Sequence, residues 1–243
     1  MIDVILEVLS TSLYPPRCPL CGREPARRGP GPCRGCRRRL VPLAPGCGRC
    51  AEPGPGDPCE RCEWSAPGPD RVRACCPYGT EGPGGLLREA IHAWKYRADL
   101  ASGAALAALF VERTRRFPLE ADLVASVPTT RRRLLRRGFD PAAELARAIA
   151  ADRGLPRRDV LRRVDARGSQ TALGRADRDR NVRGAFRVGS PAEVAGRAIL
   201  LVDDVLTTGA TTGACAHALR RAGARSVELW ALARAVRPSA GPP

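Results

Sequence analysis

The stretch AILLVDDVLTTGATTGACAHAL, Ala198 to Leu219, decides how the rest of this chain is read. Residues 198 to 202 are a short apolar run rich in Ile, Leu and Val, bounded by Arg197 and by the pair Asp203 and Asp204. Such a run predicts a strand buried on both faces, as in a parallel sheet. Thr207, Thr208, Gly209, Ala210, Thr211 and Thr212 then form a loop of small and hydroxylated residues. From about Ala210 the spacing turns helical, with Ala214, Ala218, Leu219 and Ala222 on one face and Gly223 as a C-terminal stop. A strand that runs through a Thr/Gly loop into a helix makes a phosphate cradle, because unpaired backbone N–H groups and the positive end of the helix dipole converge on one point. Two carboxylates at the strand's end can accept hydrogen bonds from a vicinal diol, or hold Mg²⁺ through water. Phosphate on one side and a diol on the other describe a ribose 5-phosphate. The plainer alternative is an ordinary strand–turn–helix with two solvated aspartates, and Gly209 with the threonine cluster weighs against it.

Length and composition set the frame. A chain of 243 residues, 44% apolar, suffices for one α/β domain and a small extra module. Of 41 basic residues 40 are Arg and one, Lys95, is Lys, against 25 acidic residues, for a net charge of +16. That charge attracts anions, nucleic acid and pyrophosphates among them. A single Lys in so arginine-rich a chain marks a place where a compact ammonium suits better than a planar guanidinium, or is a chance survivor on a solvated helix face. The N-terminal MIDVILEVLSTSLYPP carries Asp3 and Glu7, lacks a basic lead-in and is too short to span a bilayer, and no other run approaches 18 apolar residues. A cytoplasmic protein without a membrane span is expected.

Eight of the eleven cysteines fall in four CxxC knuckles: Cys18/Cys21, Cys33/Cys36, Cys47/Cys50 and Cys59/Cys62. Without an export signal this spacing points to metal-binding thiolates and not to disulfides. Two knuckles complete a closed Cys₄ shell, so two structural zinc ions are expected. Sequential pairing gives two consecutive zinc ribbons; interleaved pairing satisfies the same spacing. An iron–sulfur cluster or a redox dithiol is the functional alternative. Pro, Gly and Arg dominate between the knuckles, so metal has to supply the folding free energy of this segment. Arg34, Arg37, Arg38 and Arg39 would give it a charged face for nucleic acid, or are simply solvated. Cys75 and Cys76, placed in the linker into the next domain, and Cys215, one turn into the helix after the phosphate loop, read as packing residues.

Between these segments the chain alternates strands and helices. Ala74–Tyr78 is a candidate strand, Gly84–Tyr96 and the stretch from Ala101 are helical, and Asp122–Val127 is a short strand ending in Pro128-Thr129-Thr130. Loops at the carboxyl ends of parallel strands are where such sheets bind ligands. Arg131 to Arg137 place five Arg in seven residues, enough for a diphosphate or a nucleic-acid strand, or a solvated helix. Asp140-Pro141 starts a further helix that stops at Gly154. Residues 161 to 187 are long, polar and arginine-dense, as a lid or a floppy insert would be. Ser226–Arg234 is a strand expected beside 198–202.

VDDVLTTGATT, Val202 to Thr212, closely resembles the phosphoribosyl pyrophosphate (PRPP) signature of type I phosphoribosyltransferases, and the chain from Cys18 to Arg234, cysteines included, resembles the ComF (competence protein F) family. The resemblance implies an α/β fold with a Rossmann-like parallel sheet of the type I phosphoribosyltransferase kind and a small N-terminal zinc-ribbon module. Its implied layout is a double zinc ribbon over residues 1–66, a phosphoribosyltransferase-like domain over 67–237 and a disordered tail over 238–243. In this likeness PRPP binds with Mg²⁺: its 5-phosphate on Thr207, Thr208, Gly209, Ala210 and Thr211, its ribose on Asp203 and Asp204 as the catalytic pair, and its pyrophosphate on Val127, Pro128, Thr129 and Thr130. Lys95, in a run with His92, Tyr96 and Arg97 similar to the family's hood motif, joins the PRPP-binding set; His92 reads as a partly exposed helix residue without a catalytic role. Gln170, Leu173, Arg178 and Asn181 match the family's flexible loop. The chain departs from the family with Asp140 where Asn is usual and with Thr129-Thr130 where a second proline is common. Two functions follow from the resemblance: an enzyme that transfers phosphoribose to an acceptor in connection with DNA uptake, toward which the acid pair leans, or a non-catalytic single-stranded-DNA-binding accessory of competence in which the PRPP site is a relic or a sensor. Competence-machinery proteins are the implied protein partners.

Overall fold

The sheet is built where apolar runs are covered on both sides. The computed structural model describes residues 17–23, 31–63, 68–79, 82–164 and 184–236. In chain order these form α1 (Arg34–Arg39), α2 (Glu60–Glu63), β1 (Arg71–Tyr78), α3 (Gly82–Arg97), α4 (Leu100–Thr114), β2 (Leu123–Ser126), α5 (Arg131–Arg137), α6 (Pro141–Arg153), β3 (Leu161–Arg163), β4 (Phe186–Val188), a 3₁₀ turn at Pro191–Glu193, β5 (Ala198–Leu206), α7 (Ala210–Arg221) and β6 (Ser226–Ala235). The N-terminal stretch 1–16, residues 165–183 of the arginine-dense segment and the tail lie outside the described residues.

Four strands pair in the order β1-β6-β5-β2, all parallel, with Ser126 opposite Val202 and Leu206 opposite Arg234. Beyond β2 the segment 156–158 adds further bonds, Val124 N–H to Pro156 O at 2.9 Å and Arg158 N–H to Val124 O at 3.1 Å. Along β5 the side chains alternate between two cores. Leu200 and Val202 join Leu87, Ile91 and Trp94 of α3, Leu106 and Phe110 of α4, and Leu145 and Ile149 of α6. Ile199 and Leu201 join Ala214, Cys215 and Leu219 of α7. Burial on both faces is why 198–202 is uniformly apolar. Gly103 lets α4 approach α3 closely: a Cβ there would stand 2.3 Å from Trp94 Nε1.

Several expectations change in detail. β5 continues to Leu206, past the acid pair, because β6 runs on beside it to Ala235. Cys75 and Cys76 lie in the middle of β1 and are fully buried, not in the linker. The 161–187 segment is anchored at its base by a two-stranded antiparallel ribbon, with Arg163 opposite Phe186. The cysteine-rich segment does not stand apart. Cys18, Cys33, Cys36 and Leu40 share a core with α3 and α4, and Leu43 N–H and Gly48 O bond to Cys75 O and Val72 N–H along the outer side of β1.

The connections leave β5 and β2 in opposite directions. β5 passes through α7 to β6 on one side, and β2 passes through α5 and α6 to the 156–158 edge on the other. The loops after these neighbouring strands therefore face a common crevice at their carboxyl ends, the place where doubly wound sheets take ligands.

Candidate functional site

The turn after β5 has the form of an anion cradle. Gly209 sits at φ +82°, a left-handed conformation that lets the chain turn sharply into α7, and serves as its N-cap. Thr208 Oγ1 accepts from Ala210 N–H at 3.4 Å, while Thr212 Oγ1 donates to Gly209 O at 2.9 Å. Thr212 is buried and holds the turn from beneath; Thr207 and Thr208 are exposed. The N–H groups of the first turn of the twelve-residue helix α7 have no helical acceptor and open toward the crevice. One feature of this turn has no counterpart in the sequence reading. Arg234, at the end of β6 and 2% exposed, donates from Nη1 to Leu206 O at 3.3 Å, to Thr207 O and to Ala235 O, and from Nη2 to Glu52 Oε2 at 2.6 Å.

Asp203 and Asp204 stand just before the cradle. Asp204, 9% exposed, lies on the α3 and α6 side of the sheet, where its Oδ2 faces the Lys95 ammonium as an ion pair and receives no hydrogen bond among the described residues. Asp203 lies toward Cys215 of α7, and its Oδ1 accepts Asp204 N–H at 2.8 Å. Burial, and then the neighbouring Asp204 carboxylate, hold the Asp203 carboxyl well above the usual carboxylate range. Lys95 thus lies beside Asp204, its side chain largely buried and not on a solvated helix face. His92 is half-buried, packs against Tyr96 with ring centroids 5.2 Å apart, and is held below its ordinary value by partial burial and then by Arg88, Lys95 and Arg97.

The loop after β2 faces the acid pair from the neighbouring strand. Val127 N–H bonds to Val202 O at 2.9 Å, so this loop is stitched to β5 itself. Asp140 holds it from the other side: Oδ2 accepts Thr129 N–H at 3.1 Å and Oδ1 accepts Ala142 N–H at 3.1 Å. The residue read from sequence as a helix cap is therefore also a loop clamp. Its carboxyl is raised by burial, against the backbone bonds, with the Asp204 charge adding to the rise. Thr130 caps α5, accepting Arg133 N–H at 3.3 Å, and α5 buries none of its residues.

The eight knuckle cysteines form two groups, Cys18, Cys21, Cys33 and Cys36 in one and Cys47, Cys50, Cys59 and Cys62 in the other, each with its sulfurs within 4.8 Å of one another. Sequential pairing is the arrangement found. Sulfur separations of 3.8 Å for Cys18–Cys36, Cys21–Cys33 and Cys50–Cys59 match a tetrahedron with Zn–S bonds of about 2.3 Å. Backbone N–H groups point at the sulfurs, Cys36 at Cys33 Sγ (3.3 Å) and Arg49 and Cys59 at Cys47 Sγ (3.4 Å each). Burial, then the Cys50 sulfur beside it, pushes the Cys62 thiol up to about 12, and a divalent ion at the centre is what would stabilise four thiolates together. The donor sets thus fit structural zinc. Cys75, Cys76 and Cys215 belong to neither group and are buried packing residues.

The raised Asp203 carboxyl gives a prediction with a definite sign. A folded-state pKa above the ordinary 3.8 means that the folded chain holds this proton more tightly than the unfolded chain, so stability falls as pH rises from about 4 toward the folded value. Asp203→Asn keeps an acceptor for Asp204 N–H and removes the buried charge. It is expected to raise the thermal unfolding midpoint at pH 8 by about 2–4 °C, with the gain vanishing near pH 4. Midpoints of the two proteins that stay equal at both pH values would contradict the burial of a titrating group there.

The family model described as phosphoribosyl transferase domain matches residues 101–240. A DNA utilization protein YhgH of Salmonella typhi is 35% identical over 230 residues, covering 90% of this chain and 97% of that protein. Competence protein F of Haemophilus influenzae is 33% identical over 116 residues, 47% of this chain and 51% of that protein. Among solved structures, glutamine PRPP amidotransferase from B. subtilis aligns with a TM-score of 0.41 and 24% identity over 54% of this chain and 26% of that one. A family match across more than half of the chain makes it a member of the phosphoribosyl transferase domain family, with homologues named DNA utilization protein YhgH and Competence protein F.

Proposed function

We propose that the chain binds PRPP together with Mg²⁺ in the crevice between β5 and β2 and transfers its phosphoribosyl group to a nucleophilic acceptor. The observation that carries the reading is the convergence of three elements on one crevice: the glycine-capped cradle of Thr207–Thr211, the acid pair beside it, and the Val127–Thr130 loop stitched to Val202. The cradle amides would take the 5-phosphate, Asp203 and Asp204 the ribose hydroxyls, and the loop after β2 with the first turn of α5 the pyrophosphate. Magnesium bound with the substrate would neutralise charge on the leaving pyrophosphate. Lys95, paired with Asp204, would offer a compact cation to the leaving pyrophosphate. As the bond from C1 to the pyrophosphate oxygen breaks, a lone pair of the acceptor forms the new bond to C1, and the acid pair steadies the sugar while positive charge gathers on it. Two zinc ions in the Cys₄ groups, a cytoplasmic location, and service in the handling of DNA, as the names of the relatives suggest, complete the reading.

A second reading, binding of single-stranded nucleic acid without turnover, draws on one surface. Five arginines of α5 project from a helix with no buried residue, and Arg136 and Arg137 lie 5.8 and 4.9 Å from the centre of the Tyr96 ring, which is 57% exposed. A stacking platform flanked by guanidinium groups is how proteins hold unpaired bases. The two readings are compatible.

Titration calorimetry with Mg²⁺–PRPP is expected to show one site per chain, and the Asp203→Ala, Asp204→Ala double variant to lose at least about tenfold in affinity; undiminished binding would sink the assigned ribose site. Metal analysis of the purified chain should find two zinc ions, falling to one when Cys47 and Cys50 are both replaced by Ser. Iron, or a single zinc in the unaltered chain, would contradict the two closed shells. For the second reading, affinity for a single-stranded oligonucleotide should fall steeply between 50 and 200 mM salt, roughly as the number of phosphates contacted dictates. Replacing Arg136 and Arg137 by Gln should flatten that dependence.

A further inference from the structure

Arg234 is an unusual occupant of its position. A guanidinium taken almost wholly out of water is costly unless its charge is balanced and its donors are used. Its balancing charge is Glu52, 182 residues away in the chain; Nη1 donates to the two peptide carbonyls that lead into the phosphate cradle and to Ala235 O, while Nε has no hydrogen-bond partner among the described residues. A trans peptide points its C=O and its N–H in opposite directions. Holding the carbonyls of Leu206 and Thr207 on the Arg234 side therefore turns the N–H groups of Thr207 and Thr208 the other way, into the cradle. Glu52 is itself fixed by the second cysteine group. Its backbone O accepts Cys47 N–H at 3.0 Å, Ala51 N–H bonds to Cys47 O at 2.8 Å, and the chain passes so near that a Cβ on Gly46 would stand 2.0 Å from Glu52 O. A hairpin shaped by Cys47 and Cys50 thus carries the carboxylate that holds the arginine that sets the cradle amides.

We propose that Arg234 is a positioning residue of the phosphate loop, and that Glu52, delivered by the second Cys₄ hairpin, locks it in place. The cysteine-rich segment then acts on the anion site through one ion pair and not merely as a neighbour. The inference rests on reading the Thr207–Thr211 turn as a phosphate site, but the clamp is a property of the ligand-free chain and can be measured without ligand.

The test uses the full-length protein with Glu52→Gln, Arg234→Lys and the double variant. Amide hydrogen exchange, read at Val205–Leu206, the end of β5 that pairs with β6 just before the turn, is expected to quicken about tenfold in each single variant. The double variant should match the single variants and not exceed them, since both changes open the same clamp. Exchange over Ile199–Val202 should not change. Glu52→Gln replaces a partly exposed side chain and keeps its shape, so it decides the matter even if Arg234→Lys folds poorly. Unaltered exchange in Glu52→Gln, or strictly additive effects in the double variant, would overturn the proposal. Calorimetry with Mg²⁺–PRPP separates the two layers: Glu52→Gln should weaken binding about five- to tenfold. An unaltered chain that takes no PRPP would sink the phosphate reading, while the exchange result would still decide the clamp.

Discussion

A strand paired on both sides and covered on both faces has no room for charge along its length, and β5 is such a strand. Its polar side chains are admitted only where the covering helices draw back, at the carboxyl end, and there two carboxylates arrive together. Everything else at the crevice is arranged around that end. The chain must turn at once to re-enter the fold as α7, which a residue at positive φ permits, and the turn leaves amides without acceptors. The neighbouring strand stops at Ser126, opposite Val202, so its own loop opens at the same level. Burial, in this molecule, dictates where chemistry can happen.

The electrostatics follow from the same placement. A chain with a net charge of +16 gathers Asp140, Asp203 and Asp204 around one crevice and sets a single ammonium, Lys95, among them. Burial disfavours the ionised forms of Asp140 and Asp203, whereas the surrounding arginines draw in anions from outside.

What the sequence disclosed and what it hid divide along physical lines. The apolar run before Asp203, the glycine before α7 and the Asp-Pro start of α6 were legible because each acts through bonds to near neighbours in the chain. The pairing of the four knuckles was not, because sequential and interleaved shells demand the same spacing and only the path of the chain chooses between them. The second role of Asp140 depended on the loop after β2 returning to it, and the length of β5 depended on how far β6 ran alongside. Arg234 and Glu52 gave no signal at all. One more arginine among 40 is invisible, and a partner 182 residues distant leaves no periodicity to detect.

β1 is the outermost strand of a parallel sheet, and its free side is occupied by Leu43, between the two knuckle groups, and by Gly48, inside the Cys47/Cys50 knuckle. Pro77, a residue tolerated only at such a margin, further blunts it. If the two cysteine groups hold zinc as proposed, a chain whose thiols lack it would release that covering segment and bare a row of unpaired peptide groups beside Cys75 and Cys76, a ready template for self-association. Metal supply would then govern how much of the protein stays dispersed, quite apart from anything it binds.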